Sequence, residues 1–146
     1  METRKERVIV TLLLALAACA PKGPDIEVRD AYSYESVLGN VGVVYFTIEN
    51  RGKLADTLTD VEVTGALVAM IHDQVANGDM VEMRHLNVLP LPPRSTVVLA
   101  PGGLHVMTEG LDRPPVAGDT LEVTLRFTRS GELTFKAPVL AYGVEP

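Results

Sequence analysis

Hydrophobic and polar positions alternate along most of the chain from Ile26 onward, in short segments separated by turn residues. The alternation is clearest over residues 121–128, where apolar and polar side chains follow one another without a break. Successive side chains of a strand point to opposite faces of a sheet, so this segment predicts a half-buried β-strand. Ser130-Gly131 follows as a turn signal, and Leu133-Thr134-Phe135 completes a predicted hairpin.

Other short segments are rich in β-branched and apolar residues and end near Gly, Pro, Asn or Ser. They predict strands at residues 43–48, 57–63, 66–71, 81–88 and 96–99. Proline occurs at turn positions throughout, which argues against long helices. Many short strands at regular spacing indicate an all-β Greek-key sandwich or barrel. We find no internal repeat and expect one domain over residues 26–146.

The first residues form a different kind of segment. A basic start is followed by an apolar run at residues 8–18 that is too short for an ordinary transmembrane helix. The run ends in Leu16-Ala17-Ala18-Cys19, which resembles the lipobox of bacterial lipoproteins. We therefore expect a signal peptide at residues 1–18, a lipid on Cys19 and a tether over residues 19–25. A plain secretory signal that happens to end near a cysteine is the alternative.

Composition and charge narrow the function. Of 146 residues, 47% are apolar and none is Trp, so the core must consist mainly of Val and Leu. Removal of the signal leaves 10 basic and 17 acidic residues, a net charge of −7, which excludes an ordinary nucleic-acid binder. Cys19 is the only cysteine, and its acylation would leave no thiol. Any metal site must then use His, Met and carboxylate groups.

The histidines and methionines of the expected mature chain all lie between Met70 and Met107. His105 and Met107 are two residues apart, so in a strand they share one face and can reach one ion. His72 and Met83 flank Asn77-Gly78-Asp79, a hairpin turn signal that would bring the two strands together.

These side chains favour copper(I). Thioether sulfur is neutral and soft, and it suits Cu(I) better than Zn(II), Mg(II) or Ca(II). Neutral imidazole suits copper as well. Two thioethers and two imidazoles carry no charge and favour a monovalent ion. A blue-copper electron-transfer site would need a Cys thiolate, which the mature domain lacks.

The spacing resembles that of the periplasmic copper chaperones known as PCuAC, which carry the pattern His-x10-Met-x21-His-x-Met. His72, Met83, His105 and Met107 match this pattern without a gap. The preceding Pro101-Gly102-Gly103 is similar to the family's approach to its second histidine, and the resemblance extends over roughly residues 30–140. It implies a cupredoxin-like β-sandwich that binds one Cu(I) ion through these four residues.

The resemblance also implies a function. Such proteins deliver copper to the binuclear copper site of assembling cytochrome c oxidase, often alongside a thioredoxin-like Sco partner. We expect a monomeric, extracytoplasmic metal carrier rather than an enzyme, because no nucleophile elbow or phosphate loop is present. Two alternatives remain open: a copper-buffering lipoprotein without an oxidase client, and an envelope β-sandwich that binds other proteins and no metal.

Three further residues of the same window are given structural roles. We expect His85 to be solvated or to support the site without binding the ion. Met70 and Met80 are expected to pack in the core or lie exposed, as single methionines of β proteins usually do.

Overall fold

The computed structural model describes residues 23–78 and 80–146, and ten strands and no helix occur in this part of the chain. The strands are β1 (Ile26–Tyr34), β2 (Val41–Asn50), β3 (Asp56–Val63), β4 (Val68–Asn77), β5 (Met80–Leu86), β6 (Leu89–Leu91), β7 (Ser95–Leu99), β8 (His105–Glu109), β9 (Thr120–Phe127) and β10 (Gly131–Leu140). The expected all-β class is therefore confirmed. The predicted signal peptide and Cys19 lie outside the described residues.

The strands form two antiparallel layers that continue into each other. One layer has the order β5-β4-β8-β2-β1, with β7 also paired to β2, and the other has the order β10-β9-β3-β6. They are joined where β1 and β10 run parallel, at Ser33–Val139 and Tyr34–Leu140. No described helix is long and apolar enough to cross a membrane.

The core lies between the two layers and is built from alternate residues of each strand. In β2, Val44, Phe46 and Ile48 are almost wholly buried. The ring of Phe46 meets Phe135 of β10 with 5.0 Å between ring centres, across the interior. The alternation at 121–127 is confirmed, because Leu121, Val123, Leu125 and Phe127 all belong to this core. The outer face of the first layer, which points away from the second layer, takes no part in this core.

The predicted elements differ from the observed ones mainly at their ends. The segment expected at 66–71 begins at Val68 and continues to Asn77. It then turns at Gly78, whose positive φ of 64° suits a tight hairpin, and Asn77 pairs with Met80. The sequence pattern also predicted no strand for β1 or β6. In β6, three residues are too few to show a period.

Candidate metal centre

Strand β4 lies between β5 and β8, and its register places three histidines side by side. His72 is directly opposite His85 of β5 and directly opposite His105 of β8. Directly paired residues of antiparallel strands project from the same face of the sheet. The ring centre of His72 is 5.7 Å from that of His85 and 5.8 Å from that of His105, with near-perpendicular planes. The three rings thus form one row across three strands.

Core packing on the other face fixes this row. Ile71, next to His72 in sequence, is buried and pairs with Leu86 on one side and Val106 on the other. Burial of these three apolar side chains favours one register, because a shift by one residue would exchange them for the histidines. The sequence alternation around His72 and His105 therefore turns the imidazoles to the outer face.

His105 is held in a defined tautomer. Its Nδ1 lies 3.0 Å from the carbonyl oxygen of Gly103, and a carbonyl oxygen can only accept. Nδ1 therefore carries the proton, and the lone pair is on Nε2. A ligating histidine usually donates its other ring proton in this way, which orients the ring and makes it more basic. His105 is only 5% exposed, so this geometry is well protected from water.

His72 has an unpaired nitrogen. Its Nδ1 is buried without a hydrogen-bond partner, and no other side-chain nitrogen or oxygen of the described residues is in that state. Leaving a buried polar atom unpaired costs free energy, so such an atom requires an explanation. Burial, followed by repulsion from His105 and His85, lowers the pKa of His72 below its ordinary value. The ring is therefore neutral at pH 7, as a metal ligand must be.

The two methionines of the predicted set lie on opposite sides of the histidine row. Met107 follows His105 by two residues on the same face and pairs with Met70. Met83 lies opposite Gln74, two residues beyond His72 in the other direction. It is 57% exposed, whereas Met107 is partly buried. The structure thus brings His72 and His105 into contact and places one thioether diagonally to each side.

Carboxylates do not complete the site. Within residues 23–78 and 80–146, no group of three or more His, Cys, Asp or Glu side chains is arranged to hold a metal ion. An ion held by His72 and His105 would therefore take its remaining ligands from other groups, and thioethers are the donors at hand. This composition fits a soft monovalent cation and not Mg²⁺ or Ca²⁺, which require oxygen ligands.

His85 was expected to be solvated or to support the site. In the structure it is exposed, and its ring lies as close to His72 as that of His105 does. The spacing Met83-x-His85, which repeats His105-x-Met107 in reverse order, puts His85 on the same face as Met83. Tyr45 was not singled out in the sequence, although its ring lies 6.5 Å from that of His105 on the same face.

Solved structures of similar architecture are PCuAC domains. The copper-bound PCuAC domain from PmoF2 matches 80% of this chain and 92% of its own length, with a TM-score of 0.67 and 26% identity. The apo domain from PmoF1 covers 80% and 93%, with a TM-score of 0.65 and 28% identity. The Cu(I) form of DR1885 from Deinococcus radiodurans covers 86% and 83%, with a TM-score of 0.61 and 26% identity. The fold is therefore that of a PCuAC-type domain, and the cupredoxin-like class expected from the sequence is confirmed.

A sequence-family model identifies the family to which the chain belongs. The model described as "Putative lipoprotein LpqE-like" matches residues 26–139, and the chain belongs to this LpqE-like family. The chain is also 27% identical over 143 residues to "Putative lipoprotein Lxx21020" of Leifsonia xyli subsp. xyli (strain CTCB07), covering 90% of this chain and 86% of that protein.

Acid should destabilise the metal-free protein partly through His72. Because its pKa is lowered in the fold, the unfolded chain takes up this proton at a higher pH than the folded chain does. The stability contributed by the neutral ring is complete above the ordinary value of 6.5 and is lost as the pH falls through it towards the lower folded pKa. In urea unfolding at about pH 7.5 and about pH 5, we expect wild type to lose more free energy of unfolding than His72→Gln does. Equal losses in the two proteins would contradict this assignment.

Proposed function

We propose that this protein is an extracytoplasmic copper chaperone that binds one Cu(I) ion through His72, Met83, His105 and Met107. The observation that carries the proposal is the contact between His72 and His105 on a face that also presents two thioethers. One ring has a buried, unpaired nitrogen, and the other has its Nε2 lone pair free. Both features have a simple explanation if a metal ion is the missing partner.

The spacing of the two rings suits a shared ion. With metal–nitrogen distances of roughly 2.0–2.1 Å, two imidazoles on one ion have ring centres roughly 5–6 Å apart. The 5.8 Å between the ring centres of His72 and His105 lies within this interval. Met83 and Met107 have long, flexible side chains that can reach an ion from either side of the pair. Small side-chain rotations, without a change of strand register, would then complete the ligand set.

The comparisons support copper as the ion. The similar PmoF2 domain was solved with copper bound, and DR1885 was solved in its Cu(I) form. In the present chain the neutral ligand set favours Cu(I) for the reasons of softness and charge given above.

We infer that the protein delivers its copper to another protein, because part of the site is exposed. Met83 is 57% exposed, so an incoming ligand from another protein can approach the ion from that side. In line with the PCuAC resemblance, we infer that the recipient is the copper-bearing subunit of assembling cytochrome c oxidase, with a Sco-type protein as a further partner. We infer that the protein is a metal carrier and not an enzyme, with copper as its cargo.

We also infer that Cys19 carries a lipid that holds the protein on the outer face of a membrane. The lipobox-like Leu16-Ala17-Ala18-Cys19 supports this inference, as does membership of a family described as lipoproteins. Acyl chains bind to bilayers through the burial of their methylene groups. An anchored carrier would then search for a membrane-bound recipient in two dimensions.

Direct Cu(I) titration tests the ligand set. In competition with a chelator, we expect full-length protein in detergent to bind one equivalent. We expect His105→Ala or Met107→Leu to weaken binding by at least roughly 100-fold, because even mutations that only disturb ligand orientation cost about 10–100-fold. The control is Met80→Leu, which alters an exposed methionine on the opposite face of the β4–β5 hairpin and should have no effect. One-equivalent binding that survives replacement of all four residues would contradict the site.

Gene deletion distinguishes delivery from buffering. If the protein delivers copper, the deleted strain should lose cytochrome c oxidase activity when copper is scarce and recover it when copper is added. A strain that keeps its oxidase activity but becomes sensitive to excess copper would instead identify a buffer. Complementation with His105→Ala provides the control, since it should fail in either case if copper binding is required.

Mass spectrometry of the membrane fraction tests the anchor. We expect the mature N-terminus to be a Cys19 residue that carries acyl chains, and Cys19→Ser to release the protein or leave its signal uncleaved. An unmodified N-terminus at a residue other than Cys19 in wild type would show that the segment is an ordinary secretory signal.

A further inference from the structure

The two strands that flank β4 carry the same pair of donors in opposite order. On β5 the pair is Met83 and His85, and on β8 it is His105 and Met107. The two members of each pair are separated by one residue, whose side chain projects from the opposite face of the sheet. His72 lies between the two histidines, and the two methionines lie diagonally across it. The five donors are thus related by an approximate two-fold axis through His72.

The two halves differ in their exposure. His105 is 5% exposed and its ring is fixed by the Gly103 carbonyl, so the β8 half is covered and rigid. Met83 is 57% exposed and His85 is also exposed. Its ring meets that of His72 edge-on, and its side chain makes no hydrogen bond to another described residue. An ion bound by the covered half is therefore most open to solvent, or to another protein, on the side of the β5 half.

We propose that His85 is an exchange ligand for Cu(I). With Met83 it forms the open half of the centre, shares His72 with the covered half, and binds the ion while copper enters or leaves. This inference rests on the proposed copper(I) function and deepens it, because it assigns the route of transfer. The resting ligands remain His72, Met83, His105 and Met107.

The step is a ligand exchange without electron transfer. As the ion moves towards β5, a bond from copper to a nitrogen of His85 forms while the bonds to His105 and Met107 break. Copper remains Cu(I) throughout, and imidazole and thioether ligands carry no charge, so no charge has to be moved or neutralised. His72 can bind the ion at both ends of this path, because its ring lies 5.7 and 5.8 Å from the two partner rings. One bond to copper forms as two break, so the ion passes from four ligands to three, with His72 and Met83 bound throughout.

The strand register also holds His85 in place without help from the metal. Arg84, the residue between Met83 and His85, projects from the other face and lies 3.4 Å from a carboxylate oxygen of Asp73 on β4. Leu86 packs against the core beneath. Replacement of the exposed His85 side chain should therefore leave the hairpin and the covered half unchanged.

Exchange kinetics test the proposal. Full-length protein in detergent at about pH 7.5 is loaded with Cu(I), mixed with excess bicinchoninate in a stopped-flow instrument, and also loaded from the Cu(I)–bicinchoninate complex. We expect His85→Ala to slow both directions by about tenfold and to change the equilibrium affinity by less than about twofold, because a ligand used only in passage lowers the barrier from both sides. His85→Met, which supplies a soft donor, should restore the rates, whereas His85→Gln should not.

Each result has a clear meaning. Val81→Ala is the matched control, because Val81 is exposed on the same face and strand but has no donor atom, and its rates should equal those of wild type. Unchanged or faster exchange in His85→Ala would overturn the proposal, and so would equal rates in His85→Met and His85→Gln. A loss of affinity of about tenfold or more in His85→Ala would make His85 a resting ligand and also overturn it. If wild type itself binds no Cu(I), the proposed function fails first.

Discussion

The register of β4 between β5 and β8 is the constraint on which the candidate centre depends. A β-strand shows one set of side chains to each face, so a single choice of register decides both what is buried and what is displayed. Burial of Ile71 between Leu86 and Val106 determines this register. The histidine row on the outer face is the other consequence of the same pairing. The candidate metal centre is therefore specified by ordinary core packing one residue away, and its histidines are aligned without a loop that folds around an ion.

In the metal-free protein, this arrangement places the His72 ring in an energetically unfavourable environment. The Nδ1 atom of His72 is buried without a partner, and neighbouring imidazoles oppose its protonation. Buried polar atoms in native proteins are usually paired, and those that are not tend to mark functional sites. The domain can tolerate one such atom because its apolar core is continuous across both layers. Binding of an ion at this nitrogen would remove the unfavourable term.

The local sequence pattern predicted which segments are strands and which side chains share a face. It did not predict which residues lie opposite each other on neighbouring strands. The shared face of His105 and Met107 follows from a two-residue spacing, and the alternation at 121–127 follows from the same rule. The pairing of His72 with His85 is a contact between strands, and it depends on where the hairpin turns and how many residues it uses. Gly78 marks the turn, but a change of one residue in the loop would have placed Arg84 or Leu86 opposite His72. The position of Tyr45 beside His105 depends in the same way on long-range pairing of β2 with β8.

The chemistry of the proposed ligands would let an acidic domain carry a cation and still release it. The expected mature chain has a net charge of −7, which attracts cations of every kind but does not select among them. Selection would come from the sulfur and imidazole donors, which favour soft ions over hard divalent ions. Because none of the donors is charged, no anionic ligand has to be separated from the metal when the ion departs. Affinity then depends on how many neutral donors reach the ion at once, and a carrier with a covered half and an open half can reduce that number in steps.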